Sequence, residues 1–79
     1  MSPGIGLMDR RLKTKEDAIS LATSGIIKNY KTSAEEIEIL ENKYDDDAGD
    51  WYVAVGWKDK RAIVKMNSVL ATITEIKEI

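Results

Sequence analysis

The sequence contains no cysteine and no histidine. Without cysteine there is no disulfide framework and no thiolate metal site, so packing, or a partner that completes the core, must stabilise the chain. Triads that use a histidine or cysteine are excluded, which leaves carboxylates, lysines and hydroxyl groups as candidate catalytic groups. A chain of 79 residues also seldom encloses the roughly 300 Å³ cavity of a substrate site. We therefore expect no enzyme activity, no cofactor and no metal.

Long apolar runs and a strong net charge are also lacking. No window approaches the roughly 18 to 20 apolar residues that a membrane span requires, because charged residues interrupt every apolar stretch. The apolar start, Met1–Met8, precedes Arg10 and Arg11, which is the reverse of the order in a signal peptide. We therefore expect no signal peptide in the chain as given, which by itself would stay in the cytoplasm, and the location of the natural protein is left unknown. A net charge of −2 gives no general attraction to nucleic acid or anionic lipid.

The N-terminal half predicts a lead-in followed by one helix. Residues 1–13 show no sustained hydrophobic period, so we interpret them as a flexible lead-in to a single domain over residues 14–79. Thr14 stands three residues before Asp17, a variant of the capping box that starts a helix. Gly25 lies inside the helical pattern, where it indicates either the helix end or a close contact with a strand. The apolar stripe of this helix comprises Ala18, Ile19, Leu21, Ala22, Ile26 and Ile27.

The remainder of the chain favours short strands. Residues 33–44 fit both a helix, through the capping box at Ser33, and a strand, and we prefer the strand because the sheet needs a partner. Residues 51–57 and 61–66 alternate like strands, with turns at 58–60 and 67–68. The run Val69–Ile79 is rich in β-branched residues, which favours a strand over an amphipathic helix. We therefore predict an α+β fold: one N-terminal helix on a three- or four-stranded antiparallel meander, in the order α-β-β-β-β.

An acidic run precedes the first aromatic strand, and it consists of Asp45, Asp46, Asp47 and Asp50. Calcium prefers several carboxylate oxygens from one loop, but the EF-hand alternates its ligands and needs a glutamate at its twelfth position. Three of these acids are consecutive, and the twelfth residue from Asp45 is Gly56. We therefore expect a solvated hairpin loop.

Three aromatic residues and several basic residues lie close together between residues 51 and 65. Such a hairpin can stack bases and hold phosphates, so a nucleic-acid interface is one hypothesis. However, Trp51 and Trp57 share a face with Val53 and Val55, and burial against the helix explains them better. We therefore expect function on the opposite face or at the sheet edge. The candidate interaction surface comprises Tyr52, Lys58, Lys60, Arg61, Ile63 and Lys65.

The final strand is the candidate edge of the sheet. An open edge exposes backbone groups that can pair with a second chain, by homodimerisation or by peptide capture. Glu75, Lys77 and Glu78 lie on this strand, and such charges can also discourage pairing. The two interpretations remain open at this stage.

The pattern resembles a PepSY-type domain in three segments. These are the helix start at residues 15–22, the aromatic-led strand at 51–55, and the strand, turn and re-entry at 61–70. A gas-vesicle O-protein is a second possible relative, although the chain lacks the Tyr- and Arg-rich ending of that family. Resemblance to PepSY-type domains implies a non-enzymatic module that binds or regulates proteins, and it assigns no site residue. A nucleic-acid-binding domain and a self-assembling structural subunit are the alternatives.

Overall fold

The computed structural model describes residues 11–79, which form one α-helix and a four-stranded sheet. The helix α1 spans Lys15–Tyr30, and a short 3-10 helix follows at Ala34–Glu36. The four strands are β1 (Ile37–Asp45), β2 (Asp50–Trp57), β3 (Lys60–Asn67) and β4 (Thr72–Glu78). The strands lie in the order β1-β2-β3-β4, and each pairs antiparallel with its neighbour. The predicted α+β fold is therefore confirmed, with four strands in the meander.

The helix α1 begins and ends with recognisable caps. The Thr14 side chain accepts a hydrogen bond of 3.1 Å from the backbone N–H of Asp17, as the sequence predicted. At the other end Lys31 is left-handed, with φ of 54°, and its N–H donates to the carbonyl oxygen of Ile27 at 2.9 Å. Within residues 11–79, no helix has the length and apolar character needed to cross a membrane.

Gly25 lies inside α1 and marks a close contact. The residue is buried, and a Cβ added there would collide with Cδ1 of Ile73 on β4. Of the two interpretations of Gly25, the helix end is therefore wrong and the close approach to a strand is confirmed. The missing side chain lets the helix backbone press on the edge strand.

The ambiguous segment at residues 33–44 is mainly strand. The capping pattern at Ser33 produces only the 3-10 turn, without a hydrogen bond from the Ser33 side chain. From Ile37 onward the chain pairs with β2, and the register shifts at Leu40, which forms a β-bulge. The preference for a strand is confirmed.

The core lies between α1 and the face of the sheet that we call the inner face. Trp51 and Trp57 are 8% and 3% exposed, so both tryptophans are buried there as predicted. Each ring contacts a tyrosine ring: Trp51 meets Tyr44 at 4.8 Å between centroids, and Trp57 meets Tyr30 at 4.9 Å. The other buried apolar residues are Leu12, Ala18, Ala22, Ile26, Val53, Val55, Ala62, Val64 and Met66.

The N-terminal end of the described chain belongs to the domain. Leu12 is 5% exposed, and the backbone N–H groups of Arg11 and Leu12 both donate to the carbonyl oxygen of Ser68 at 2.9 Å. For Arg11 and Leu12, the predicted flexible lead-in is therefore wrong, because burial of one leucine and two backbone hydrogen bonds fix the chain. The rest of that predicted segment, residues 1–10, lies outside the described residues.

The turn between β3 and β4 is longer than predicted. The Asn67 side chain accepts hydrogen bonds from the N–H groups of Val69 and Leu70, both at 2.9 Å. Ala71 then adopts a left-handed φ of 56°, and its N–H donates to the Asn67 carbonyl at 2.8 Å. The strand predicted from Val69 therefore begins only at Thr72, because the asparagine side chain stabilises a turn over the intervening residues.

Candidate functional site

The face of the sheet opposite α1, which we call the outer face, is not covered by any element within residues 11–79. Alternation along β2 places Tyr52 and the small residues Ala54 and Gly56 on this face, while the two tryptophans and two valines of the same strand point into the core. The centre of the outer face is therefore lined by small side chains. Strands with long side chains flank it on both sides.

The small residues of β2 form the floor of a depression that we call the β2 groove. The residues that shape it include Glu38, Leu40 and Glu41 from β1, Tyr52, Ala54 and Gly56 from β2, and Arg61 and Ile63 from β3. Two cavities lie along it, of about 320 Å³ beside Gly56 and about 250 Å³ beside Ala54. Each is large enough for one or two side chains of a partner, and both are open to solvent.

Gly56 determines the shape of one end of the groove. A Cβ at this position would lie 3.4 Å from Cδ1 of Leu40 and 3.7 Å from Cγ of Arg61. These two side chains therefore border the glycine from opposite sides. Leu40 follows the alternation of Glu38 and Ile39 onto the outer face, where it remains 45% exposed, and the bulge at Leu40 brings Glu41 to the same face.

Each wall of the groove carries one charged residue that has no ion-pair partner within residues 11–79: an acidic residue on the β1 wall and a basic residue on the β3 wall. Glu38 and Arg61 are both in register with Gly56, on β1 and β3 respectively. Neither forms an ion pair with another residue of the described chain. A partner can therefore reach both groups without displacing an internal ion pair.

The lysines of the predicted surface are paired with carboxylates of the same chain. The distances from Nζ to oxygen are 3.9 Å for Lys58 to Glu36, 3.5 Å for Lys60 to Glu78, and 3.9 Å for Lys65 to Asp50. The pairs of Lys58 and Lys60 are largely exposed, so each contributes little to folding, whereas Asp50 in the third pair is mostly buried. They nevertheless reduce the positive charge that the surface presents.

The structure brings together most of the predicted interaction surface. Tyr52, Arg61, Ile63 and Lys65 lie on the outer face, and Lys58 lies in the β2–β3 turn beside the groove. Lys60 is opposite Trp57 and so belongs by alternation to the inner side of the sheet, but it also lines the cavity beside Gly56.

Sequence reasoning missed the β1 wall of the groove. Glu38, Leu40 and Glu41 line it. The alternation of residues 36–39 could have placed Glu38 and Leu40 on this wall, but the bulge at Leu40 shifts the phase of the strand and adds Glu41. A pattern of period two cannot place the residues beyond such a bulge.

The acidic run forms the turn between β1 and β2. The Asp45 side chain accepts hydrogen bonds from the N–H groups of Asp47 at 3.0 Å and Ala48 at 3.3 Å. Gly49 supplies the left-handed φ of 74°, and Asp50 faces Lys65. Across residues 11–79, no three acidic side chains converge into a metal-binding group. The aspartates are therefore accounted for by turn geometry and one ion pair.

Comparison with protein-family models, with curated proteins and with solved structures finds no match to this chain. The site must therefore be interpreted from its own geometry.

Proposed function

We propose that this domain is a non-enzymatic protein-binding or regulatory module of PepSY-like character, and that its binding surface is the β2 groove. The observation that carries the proposal is the placement of Ala54 and Gly56 at the centre of an uncovered sheet face. Small residues there leave Leu40 and Ile63 as apolar walls that a partner can contact. A sheet used only as a layer of the core does not need such a groove.

The groove chemistry defines the partner segment. An apolar side chain fits over Ala54, between Tyr52 and Ile63. Near Gly56, an acidic group can pair with Arg61 and a basic group with Glu38. Burying one such apolar side chain contributes about 1.5 to 3 kcal/mol, and a hydrogen bond to a charged group about as much. An isolated short peptide should therefore bind weakly, and a folded partner more tightly.

Nucleic-acid binding is less well supported than protein binding. The hypothesis needed exposed aromatic rings for stacking, but Trp51 and Trp57 are buried, which leaves Tyr52 on the outer face. A labelled single-stranded oligonucleotide titrated at low salt tests this alternative, since a true binder loses affinity steeply as salt rises.

Self-association through a sheet edge is the remaining alternative. Both β1 and β4 are edge strands, and each pairs with only one neighbour in the described sheet. This alternative concerns the edges and leaves the groove free, so it is compatible with the proposed binding surface.

Selection of displayed random peptides on the immobilised domain tests the groove. The selected peptides should perturb the backbone amide resonances of Ala54, Gly56 and Ile63 in a two-dimensional NMR titration. Ala54→Arg should abolish binding, because the long charged side chain fills the groove from the half-buried Ala54 position on its floor. Ser24→Arg introduces the same side chain on the exposed surface of α1 and should leave binding unchanged.

Thermal melting of both variants verifies that they remain folded. Peptides that perturb only α1, or that bind the Ala54→Arg variant as well as the parent, would refute the groove as the binding surface.

A further inference from the structure

The outward side of β4 carries a charge pattern that is complementary to itself. Glu75 is in register with Lys65 and Lys77 with Ile63, so both charged residues lie on the outer face. Ile76, between them, is in register with Val64 and belongs to the inner face, where it is half-buried. No described strand pairs with the other side of β4.

We propose that two copies of this chain pair through β4 as antiparallel strands, about a two-fold axis at Ile76. In this register Glu75 of each copy faces Lys77 of the other, and the two Ile76 side chains face each other. Directly opposed residues on paired strands interact most strongly when they are opposite charges or apolar. A parallel pairing in the same register would place like charges opposite each other.

The β-bulge in β4 is compatible with this register. The register shift lies at Thr74, whose hydroxyl donates to the carbonyl oxygen of Lys65 at 3.2 Å. The bulge thus precedes Glu75, and residues 75–78 continue as regular strand.

The other edge is less suited to self-pairing. Glu41 and Lys43 on β1 repeat the spacing of Glu75 and Lys77, but the residue between them is Asn42. The Asn42 side chain is polar and lies on the inner side of the sheet, opposite Val53. The Asn42 Nδ2 is already buried without a hydrogen-bond partner within residues 11–79, and an amide pair adds no apolar burial, whereas bringing two isoleucines together buries apolar surface. The isoleucine pair therefore favours β4.

The pairing has a structural consequence for the proposed function. A two-fold axis perpendicular to the sheet keeps both helices on one side and both β2 grooves on the other. A dimeric or repetitive partner could then engage two grooves at once, which raises its apparent affinity through effective concentration. Only this consequence rests on the proposed function of the groove. The pairing itself stands on the β4 edge.

Charge exchange tests the register. Sedimentation velocity of the full chain up to millimolar concentration should show a monomer–dimer equilibrium. Glu75→Lys or Lys77→Glu alone places like charges opposite each other at two symmetric contacts, so either should weaken dimerisation at least about tenfold. The double exchange, Glu75→Lys with Lys77→Glu, should restore it. A mixture of the two single variants should form a heterodimer, since one then carries two lysines and the other two glutamates.

The same exchange on β1, Glu41→Lys with Lys43→Glu, and each of its single variants, should leave dimerisation unchanged. A chain that stays monomeric at millimolar concentration overturns the inference, as does a dimer weakened by the β1 single variants instead. Failure of the double β4 exchange to restore the dimer also overturns it. Ala54→Arg should block peptide binding but leave the dimer intact, so the groove and the edge can fail separately.

Discussion

The indole Nε1 of Trp51 donates a hydrogen bond of 2.9 Å to the backbone carbonyl oxygen of Leu12. The two residues are far apart in sequence, and the bond joins the strand β2 to the segment that precedes α1. Because the donor is buried, this bond fixes the N-terminal segment against the core. Leu12 and the aromatic strand are therefore joined in one unit.

Replacing Trp51 by Phe should destabilise the domain more than replacing Trp57 by Phe. The two tryptophans are a matched pair, since both are buried and each contacts one tyrosine ring. Only Trp51 uses its indole N–H in a hydrogen bond within residues 11–79. We expect the difference in unfolding free energy to be about 1 kcal/mol, the usual net value of one such bond. Urea denaturation measures it, and equal losses in both variants would contradict the role assigned to the bond.

Much of the fold could be predicted from local pattern. The cap at Thr14, the alternation of β2 and the burial of both tryptophans follow from residue type and spacing. The anchoring of Leu12 could not be predicted, because it depends on a hydrogen bond to a residue 39 positions away. The turn at Asn67 was underestimated for a different reason, since the side chain of one residue stabilises a turn over three predicted strand positions, Val69 to Ala71.

Only the β2 and β3 side of the candidate site could be predicted from the sequence. The β2 and β3 residues of the groove, such as Tyr52 and Ile63, follow from alternation alone. The opposite wall depends on the pairing of β1 with β2 and on the bulge at Leu40. A single sequence specifies neither the partner of a strand nor the position of a bulge within it.

The contact between Gly25 and Ile73 should appear as an energetic coupling. Gly25→Ala adds helix propensity of about 1 kcal/mol, but the new methyl group collides with Cδ1 of Ile73. Ile73→Val removes that carbon atom. Gly25→Ala should therefore be neutral or destabilising in the parent and stabilising in the Ile73→Val background.

The four proteins of this cycle can be compared by urea denaturation, and we expect a coupling of about 1 kcal/mol. An effect of Gly25→Ala that is the same in both backgrounds would show that the helix and β4 are not in close contact at this position.

Replacing Lys31 by Gly should stabilise the domain by up to about 1 kcal/mol. Lys31 has φ of 54° at the helix C-terminus, a conformation that glycine adopts without the steric cost of a Cβ. Lys28→Gly is the matched control, since it removes the same side chain from an exposed position inside α1 and should cost about 1 kcal/mol. Melting temperatures should therefore move in opposite directions, and a loss of stability in both variants would contradict the cap geometry.

Ser68, in the turn between β3 and β4, joins that turn to the β1–β2 turn and to the residues that precede α1. It is fully buried, and its hydroxyl donates to the carbonyl oxygen of Gly49 at 2.6 Å while its own carbonyl accepts from Arg11 and Leu12. Ser68→Ala should cost only about 1 kcal/mol, because the Ser68 N–H still donates to the Gly49 carbonyl at 3.0 Å.

Ser68→Val should cost more, about 1 to 3 kcal/mol, because the added methyl groups have no space in a fully buried position. Hydrogen exchange of the Arg11 and Leu12 amides should then accelerate, since both donate to the residue that is displaced. Ser24→Ala, which removes a hydroxyl group from the exposed surface of α1, should leave that exchange unchanged. Unaltered exchange in the Ser68→Val variant would mean that the N-terminal segment is held by Trp51 and not by Ser68.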